Sequence, residues 1–449
     1  MNENFNIAKN FFEIGENLFS EKKYEEAEKN FNLSLKFLPH RSSTLINLGL
    51  CKIKLKKYNE CLNIINQLDD QKNSSFDYKN LKSLYYGETL QFNKAIKIID
   101  EMLQDKNLSN FDLSNLLNYQ GIAYSKLKNY KKALALQNES IKMNELNYDA
   151  QCNVGFNNLA LGNFKDGWKK YEFRLKRNKL KFSKYPKSID DIRDKKILIR
   201  SEQGLGDIIQ FSRFIPKLYD YTKFINVIVP RALNNFFKYK DIKFISSDFY
   251  KHEDYDYEIY IGSLAFLLNQ YKNFDNDQSV VNPEIFNYKK DKNNSSYDIG
   301  LAWSGNPKFR YDTMRSLQLN NLDELISIKN KNFKFYCLQK DIRECDQEYF
   351  KKSELVYLGN LDFYHLAKKI INFDLVISSD TSILHLAASL NIKTFGLISY
   401  IPDWRWGLEG NKSNWYKTLK LFRQSDNQDW KEVLQDVCKD IESELQIIF

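Results

Sequence analysis

The stretch Lys196-Ile-Leu-Ile-Arg-Ser-Glu-Gln-Gly-Leu-Gly-Asp-Ile-Ile-Gln-Phe211 reads as a buried parallel strand that turns directly into an amphipathic helix, continuing to about Leu218. Its first five residues are apolar apart from the two ends, two of them β-branched isoleucines, and the helical period begins only after the glycine-containing turn. Further strands are expected at 224–229, 242–246 and 257–261. A second series is expected at 298–303, 333–338, 355–358, 375–378 and 394–397, and a helix over 429–447 ends the chain. Short β-rich runs alternating with helices imply α/β units. The expected organisation is two consecutive doubly wound lobes, 190–290 and 291–430, followed by a C-terminal helix, 431–449. In such sheets ligands sit at the carboxyl ends of the strands.

Upstream of a polar, Lys-rich connector at 176–195 the pattern is different. Gly15 and Gly49 are 34 residues apart, as are Tyr24 and Tyr58, the small residues Ala27, Cys61 and Ala95, and later Gly121 and Gly155. After a four-residue slip the pattern resumes with Gly121, Tyr124, Tyr130 and Ala133, then with Gly155, Phe164, Gly167 and Tyr171. A small residue lets two helices approach closely, and the aromatic before it fills the groove beside the turn. The period is that of tetratricopeptide repeats, and about five units fit into 1–178, the third and fifth imperfect. An α-solenoid of this kind presents a concave surface. It suits a protein partner or an acceptor, or it packs against the domain behind it.

Composition narrows the function classes. The formal charge of +9 comes from 67 basic and 58 acidic residues scattered along 449 positions, with no basic arm, so nucleic acid is not an expected partner. No apolar run reaches the roughly 20 residues of a transmembrane segment. Six cysteines, at 51, 61, 152, 337, 345 and 438, show no CxxC pair and read as reduced thiols of a cytoplasmic protein.

The candidate site residues fall at expected strand ends. Gly204 and Gly206 allow a tight turn and close backbone approach, although Ile209 stands where a dinucleotide loop would have its third glycine. Asp207 is either a helix cap or a carboxylate facing the cleft, able there to act as a general base. Ser304-Gly305-Asn306-Pro307 suits a loop around phosphate oxygens, with Lys308, Arg310 and Arg315 close behind; Arg310 reads as a solvated surface cation. In Ser378-Ser-Asp-Thr-Ser-Ile-Leu-His385, the residues Asp380, Thr381 and Ser382 begin a helix at an anion-binding end, and His385 lies one turn in. The aromatic block Pro402-Asp-Trp-Arg-Trp406 and Asn414-Trp-Tyr416 either packs a ligand or locks the lobe. Asp254-Tyr-Asp256 and Asp275-Asn-Asp277 mimic a metal-binding DxD but lie in polar connectors, so no metal site is expected.

From about 196 to 430 the chain resembles the heptosyltransferase-like group, glycosyltransferase family nine, on the stretches SEQGLGDIIQFSRF, GLAWSGNP, DLVISSDTSILHLAASL, IPDWRW and NWYKTLKLFRQ. The resemblance implies a GT-B fold, a pair of Rossmann-like lobes with the acceptor on the first and the nucleotide-sugar donor on the second. It implies inversion at the sugar carbon without a metal or other cofactor. Asp207 matches the family's base, Ser304, Gly305 and Asn306 the loop near the donor diphosphate, and Arg315 a phosphate-contacting cation. Gln339 would lie near the nucleoside. Asp380, Thr381 and Ser382 match the segment holding donor sugar and phosphates, and His385 keeps its spacing from the aspartate. Ser382 stands where heptosyltransferases proper have glycine, a departure that bears on the donor sugar. The expected reaction moves a sugar from a nucleoside-diphosphate sugar to a hydroxyl of a glycan, a lipid-linked glycan or a protein, in the cytoplasm or peripheral to the inner membrane. The alternative is a non-catalytic repeat scaffold with a vestigial sugar-nucleotide-binding domain.

Overall fold

The computed structural model describes residues 2–180, 184–251, 253–271, 274, 280–289, 296–328 and 333–445. The chain divides into two compact units, Met1–Val154 and Gly155–Phe449. Asp275 and Asp277 lie outside the described residues, as does the end of the expected terminal helix at 446 and 447.

The first unit is made of helix pairs: Asn2–Ser20 with Tyr24–Phe37, Ser42–Lys54 with Tyr58–Asp70, Phe76–Glu88 with Phe92–Met102, and Asn110–Lys126 with Tyr130–Met143. Ala27, Cys61, Ala95 and Ala133 are all buried where the helices of a pair cross. A Cβ on Gly15 would fall 2.6 Å from the Phe31 ring, so only glycine fits that crossing. Ser83 stands in the third unit where the neighbouring units have Gly49 and Gly121, which accounts for that unit's imperfect match. The four-residue slip also has a structural cause. Asn110–Lys126 is 17 residues long where Ser42–Lys54 and Phe76–Glu88 have 13, and four extra residues are close to one 3.6-residue turn, which leaves the packing face unchanged.

Each turn within a pair is closed in the same way. Lys22, Lys56, Leu90 and Lys128 adopt φ of 64°, 59°, 62° and 60°, two positions before the aromatic that opens the second helix. The next residue donates its N–H back across the turn, as in Lys23 to Leu18 and Asn129 to Tyr124. This is the Schellman closure of a helix C-terminus, made here without glycine.

The second unit opens with the end of helix Tyr148–Ala160, then Phe164–Tyr171 and Phe173–Arg177. Two parallel sheets follow. The first comprises β1 (Ile197–Arg200), β2 (Ile225–Val229), β3 (Lys243–Ser246) and β4 (Tyr257–Tyr260), in the order β3-β2-β1-β4. The second comprises β5 (Tyr297–Ala302), β6 (Phe333–Cys337), β7 (Val356–Tyr357), β8 (Leu375–Ser379), β9 (Thr394–Ile398) and β10 (Leu419–Arg423), in the order β10-β9-β8-β5-β6-β7. Counted from its own first strand, the second sheet runs 3-2-1-4-5-6, the doubly wound Rossmann order. The expected fold class, an α-helical repeat array followed by α/β lobes, is what the chain adopts.

Two details differ from the sequence expectation. The helix expected to run to Leu218 is broken into Leu205–Phe211, a 3-10 turn at Ser212–Phe214 and Ile215–Leu218. Pro216 lacks the N–H that a continuous helix would donate to the Ser212 carbonyl. β10 was not foreseen, because its five residues include Lys420 and follow directly on an aromatic loop. The terminal helix Trp430–Leu445 belongs to the second lobe, burying Val433, Leu434, Val437 and Ile441 in a core with Leu301, Ile377 and Phe395. No described helix is long and apolar enough to cross a membrane.

Candidate functional site

In each sheet the strand order reverses beside the first strand, and ligands of doubly wound folds sit at the carboxyl side of that point. β1 and β4 flank the reversal in the first sheet, and β5 and β8 flank it in the second. The loops after β1, β5 and β8 carry the candidate residues other than Gln339, which follows β6, and His385, one turn into the helix after β8.

The loop after β1 enters helix Leu205–Phe211 through Gly204, whose N–H donates to Asp207 Oδ2 at 2.8 Å. Asp207 is thus a cap, and its second oxygen faces the other lobe, where it accepts from Arg405 Nη2. Arg405 is 9% exposed and also donates to Asp403 Oδ1 at 2.6 Å and to Gln210 Oε1 at 2.7 Å. Burial raises the Asp207 carboxyl above the ordinary aspartate range, while Arg405 and the Gly204 N–H act in the opposite sense. Burial works against the Arg405 charge, but Asp207 and Asp403 outweigh it and hold the guanidinium protonated.

At Gly206 the two lobes approach closely. A Cβ there would lie 2.7 Å from His385 Cδ2 and 3.3 Å from the Ser382 Cα, so helix Leu205–Phe211 and helix Ser382–Ser389 cross on this glycine. Gly204, in contrast, is exposed. His385 is 5% exposed, its Nδ1 lies 3.0 Å from the Tyr416 hydroxyl, and its ring packs on Trp406. Burial keeps the imidazole well below its ordinary pKa, and Arg405, Arg213 and Arg315 add to the effect. His385 is therefore a neutral side chain at the crossing.

After β8, Thr381 caps the second of these helices, its hydroxyl accepting from the Ile383 N–H at 3.3 Å. Ser382 is the first helical residue. The Asp380 carboxyl is pushed up to about 6, by burial first and by the Asp403 charge second, against Arg315 and Arg405. Its backbone carbonyl accepts from Arg315 Nη1 at 2.8 Å, which ties the loop after β8 to the loop after β5.

That β5 loop is held from below. Gln339 is 6% exposed, and its Oε1 accepts from the N–H groups of Trp303 and Ser304, each at 2.7 Å, while its Nε2 donates to Ser304 Oγ at 3.0 Å. The amide expected near a nucleoside is taken up in fixing this loop. Gly305 lies against Arg315, since a Cβ there would be 2.6 Å from Nη2, and its N–H donates to Ser316 Oγ at 3.0 Å. Asn306 and Lys308 are exposed, and the Lys308 N–H donates to Asn306 Oδ1 at 2.9 Å. Of the DxD-like triplets, Asp256 Oδ2 accepts from the Lys196 N–H at 2.8 Å.

The structure therefore brings Gly206, Asp207, Arg315, Asp380 and His385 together, with Ser304, Gly305 and Gln339 behind Arg315 and with Asn306 and Lys308 on the outside. Arg405, Asp403, Asp312 and Arg343 were not singled out as polar site groups from the sequence. Asp312 is 3% exposed and holds both Arg315 and Arg343. A depression of about 390 Å³ lined by Asn411, Lys420, Arg423 and Asp440 lies beside β10 and includes none of these groups.

A helical-repeat array joined to a two-sheet α/β unit with polar loops at its switch points is the class that fold and site define. Within it, residues 321–434 match the model of glycosyltransferase family 9 (heptosyltransferase). This stretch carries Gln339, Asp380–Ser382, His385 and Arg405, and the chain is similar over it to the glycosyltransferases of that family. Asp207 and Ser304–Arg315 lie outside the match. Solved tetratricopeptide structures are also similar to the chain. TTC0263, a thermophilic protein of Thermus thermophilus, is 16% identical over 38% of this chain and 92% of its own, with a TM-score of 0.35. MamA of Desulfovibrio magneticus is 16% identical over 38% and 94%, with a TM-score of 0.30. No curated protein matches the chain.

Proposed function

We propose that the second unit transfers a sugar, with inversion and without a metal, from a nucleoside-diphosphate sugar to an acceptor hydroxyl. The observation that carries this reading is the pairing of Asp207, at the switch point of the first sheet, with Arg405 of the family-matched stretch. In this reaction the acceptor oxygen attacks the anomeric carbon as the diphosphate leaves from the opposite face, and Asp207 takes the hydroxyl proton. A half-buried carboxylate whose basicity is raised by desolvation, paired with a guanidinium, suits that role. Arg315 and the N-terminus of helix Ser382–Ser389 offset the charge growing on the diphosphate, and the Ser304–Asn306 loop with Lys308 encloses it. The repeats present an acceptor or bind a protein partner, and the protein works in the cytoplasm or at the inner face of the membrane.

The test is incubation of the purified chain with a panel of nucleotide sugars and glycan or lipid-linked acceptors, alongside Asp207→Asn. Transfer or slow donor hydrolysis that the substitution abolishes, with nucleotide binding retained by thermal shift, supports the proposal. Tight nucleotide binding with no turnover of any donor points instead to a non-catalytic scaffold.

A further inference from the structure

The loop that presents Asp207 is not held by its own lobe alone. Arg174, 1% exposed on the short helix after the last repeat, donates to Glu202 at 2.5 Å from Nη2 and at 3.1 Å from Nε. It also reaches Glu172 at 2.6 Å and Ser263 Oγ at 2.8 Å. Glu202 accepts in turn from the Gly262 N–H at 3.2 Å, and a Cβ on Gly262 would strike both Glu202 and Arg174. The ion pair thus fills the space between the ends of β1 and β4, the place where a doubly wound sheet would take a ligand.

One turn earlier on the same face, the Tyr171 hydroxyl accepts from Gln203 Nε2. Gln203 has φ of 63°, a left-handed conformation that is strained for a residue with a side chain and that persists only where its surroundings enforce it. Its neighbour Gly204 makes the hydrogen bond to Asp207. One turn earlier again, the fully buried Trp168 packs edge-on against Trp404 at 5.2 Å, next to Arg405. Trp168, Tyr171 and Arg174 therefore touch the residues flanking both members of the Asp207–Arg405 pair.

We infer that Trp168, Tyr171 and Arg174, on the helices that close the repeat array, are positioning residues for Asp207 and Arg405. Those last helices and the transfer site are then mechanically one structure. This deepens the proposed function and rests on Asp207 being the base.

The experiment uses the full chain with Tyr171→Phe, which removes only the hydroxyl, and Arg174→Lys, which keeps the charge but loses the fork. The control is Lys52→Met, which breaks the ion pairs of the buried Lys52 with Glu28 and Glu60 in the first unit and touches neither loop. Hydrogen exchange at the Gly204 amide is read in all proteins, and kcat and donor KM wherever the parent turns over. Both site-side variants should lose about tenfold in Gly204 protection. Their kcat should fall about tenfold with KM within about twofold, because misplacing a catalytic group affects the chemical step more than binding. Lys52→Met should move neither. Unchanged Gly204 exchange overturns the inference, as does lost protection with unchanged kcat. A parent without turnover defeats the proposed function, and the exchange data then decide the bracing alone.

Discussion

The Asp380 carboxyl should make the protein less stable while ionised, and Asp380→Asn isolates that effect. A carboxyl moved from an ordinary 3.8 to about 6 carries about 3 kcal/mol of unfavourable ionisation free energy. The native state binds this proton more tightly than the unfolded chain, so over the interval from about 4 to about 6 the folded protein holds more protons. Stability therefore rises as the pH falls through about 6, the reverse of a salt-bridged aspartate. At pH 8 the asparagine variant, uncharged and nearly isosteric, should be more stable than the parent by about 2–3 kcal/mol, and below pH 4.5 the gap should shrink to about 1 kcal/mol or less. The assay is denaturant unfolding followed by tryptophan fluorescence. All six tryptophans, at 168, 303, 404, 406, 415 and 430, lie in the second unit, so the signal reports that unit alone. A variant less stable than the parent at pH 8, or a gap that is the same at both pH values, overturns the account. A more stable but inactive variant is what a site that trades stability for charge would give.

Gly206→Ala should destabilise the second unit by about 1–3 kcal/mol, because the new methyl meets a His385 ring fixed by Tyr416 and Trp406. Fluorescence-monitored unfolding checks it, and a stability gain would show that the two helices have slack. Lys22→Gly, at an exposed position with φ of 64°, should stabilise the first unit by about 0.5–1 kcal/mol by removing left-handed strain, read from the far-ultraviolet melting curve. A thiol reagent should modify one cysteine quickly in the native protein and six after denaturation. Cys345 is exposed, whereas Cys51, Cys61 and Cys337 are buried and their thiols pushed up to about 12. Two or more fast thiols would contradict the buried placements.

What the sequence disclosed depended on how locally each feature is encoded. The repeat array was legible because every unit needs the same small residue opposite the same aromatic, so a fixed spacing stands in for a contact. Even the slip at Gly121 was visible, although its cause, one added turn of helix, was not. The strand-end loops were legible because glycine and short polar residues gather there. The groups that define the site electrostatically were not. Asp207 and Arg405 are 198 residues apart, and Arg174 and Glu202 are 28 apart. No periodicity links either pair, and each arginine taken alone is an ordinary cation on a helix or loop. Gln339 came to notice only through the family resemblance, and no local pattern showed that its amide holds the adjoining loop.

The two sheets begin alike, since β3-β2-β1-β4 and β7-β6-β5-β8 are the same order, and each offers one switch point. They differ in what occupies it. In the first, Arg174 and Glu202 fill the space between the ends of β1 and β4, and Gly262 is kept small by them. In the second, the loops after β5 and β8 bring backbone amides, Arg315 and a helix N-terminus to that point without an equivalent plug among the described residues. On the proposed function, the donor diphosphate belongs at this second switch point. The first sheet contributes a carboxylate on a short helix, aimed across the lobe boundary and fixed from behind by the last helices of the array. With the second unit acting as the proposed transferase, substitutions at Trp168, Tyr171 or Arg174 should alter chemistry before they alter donor binding.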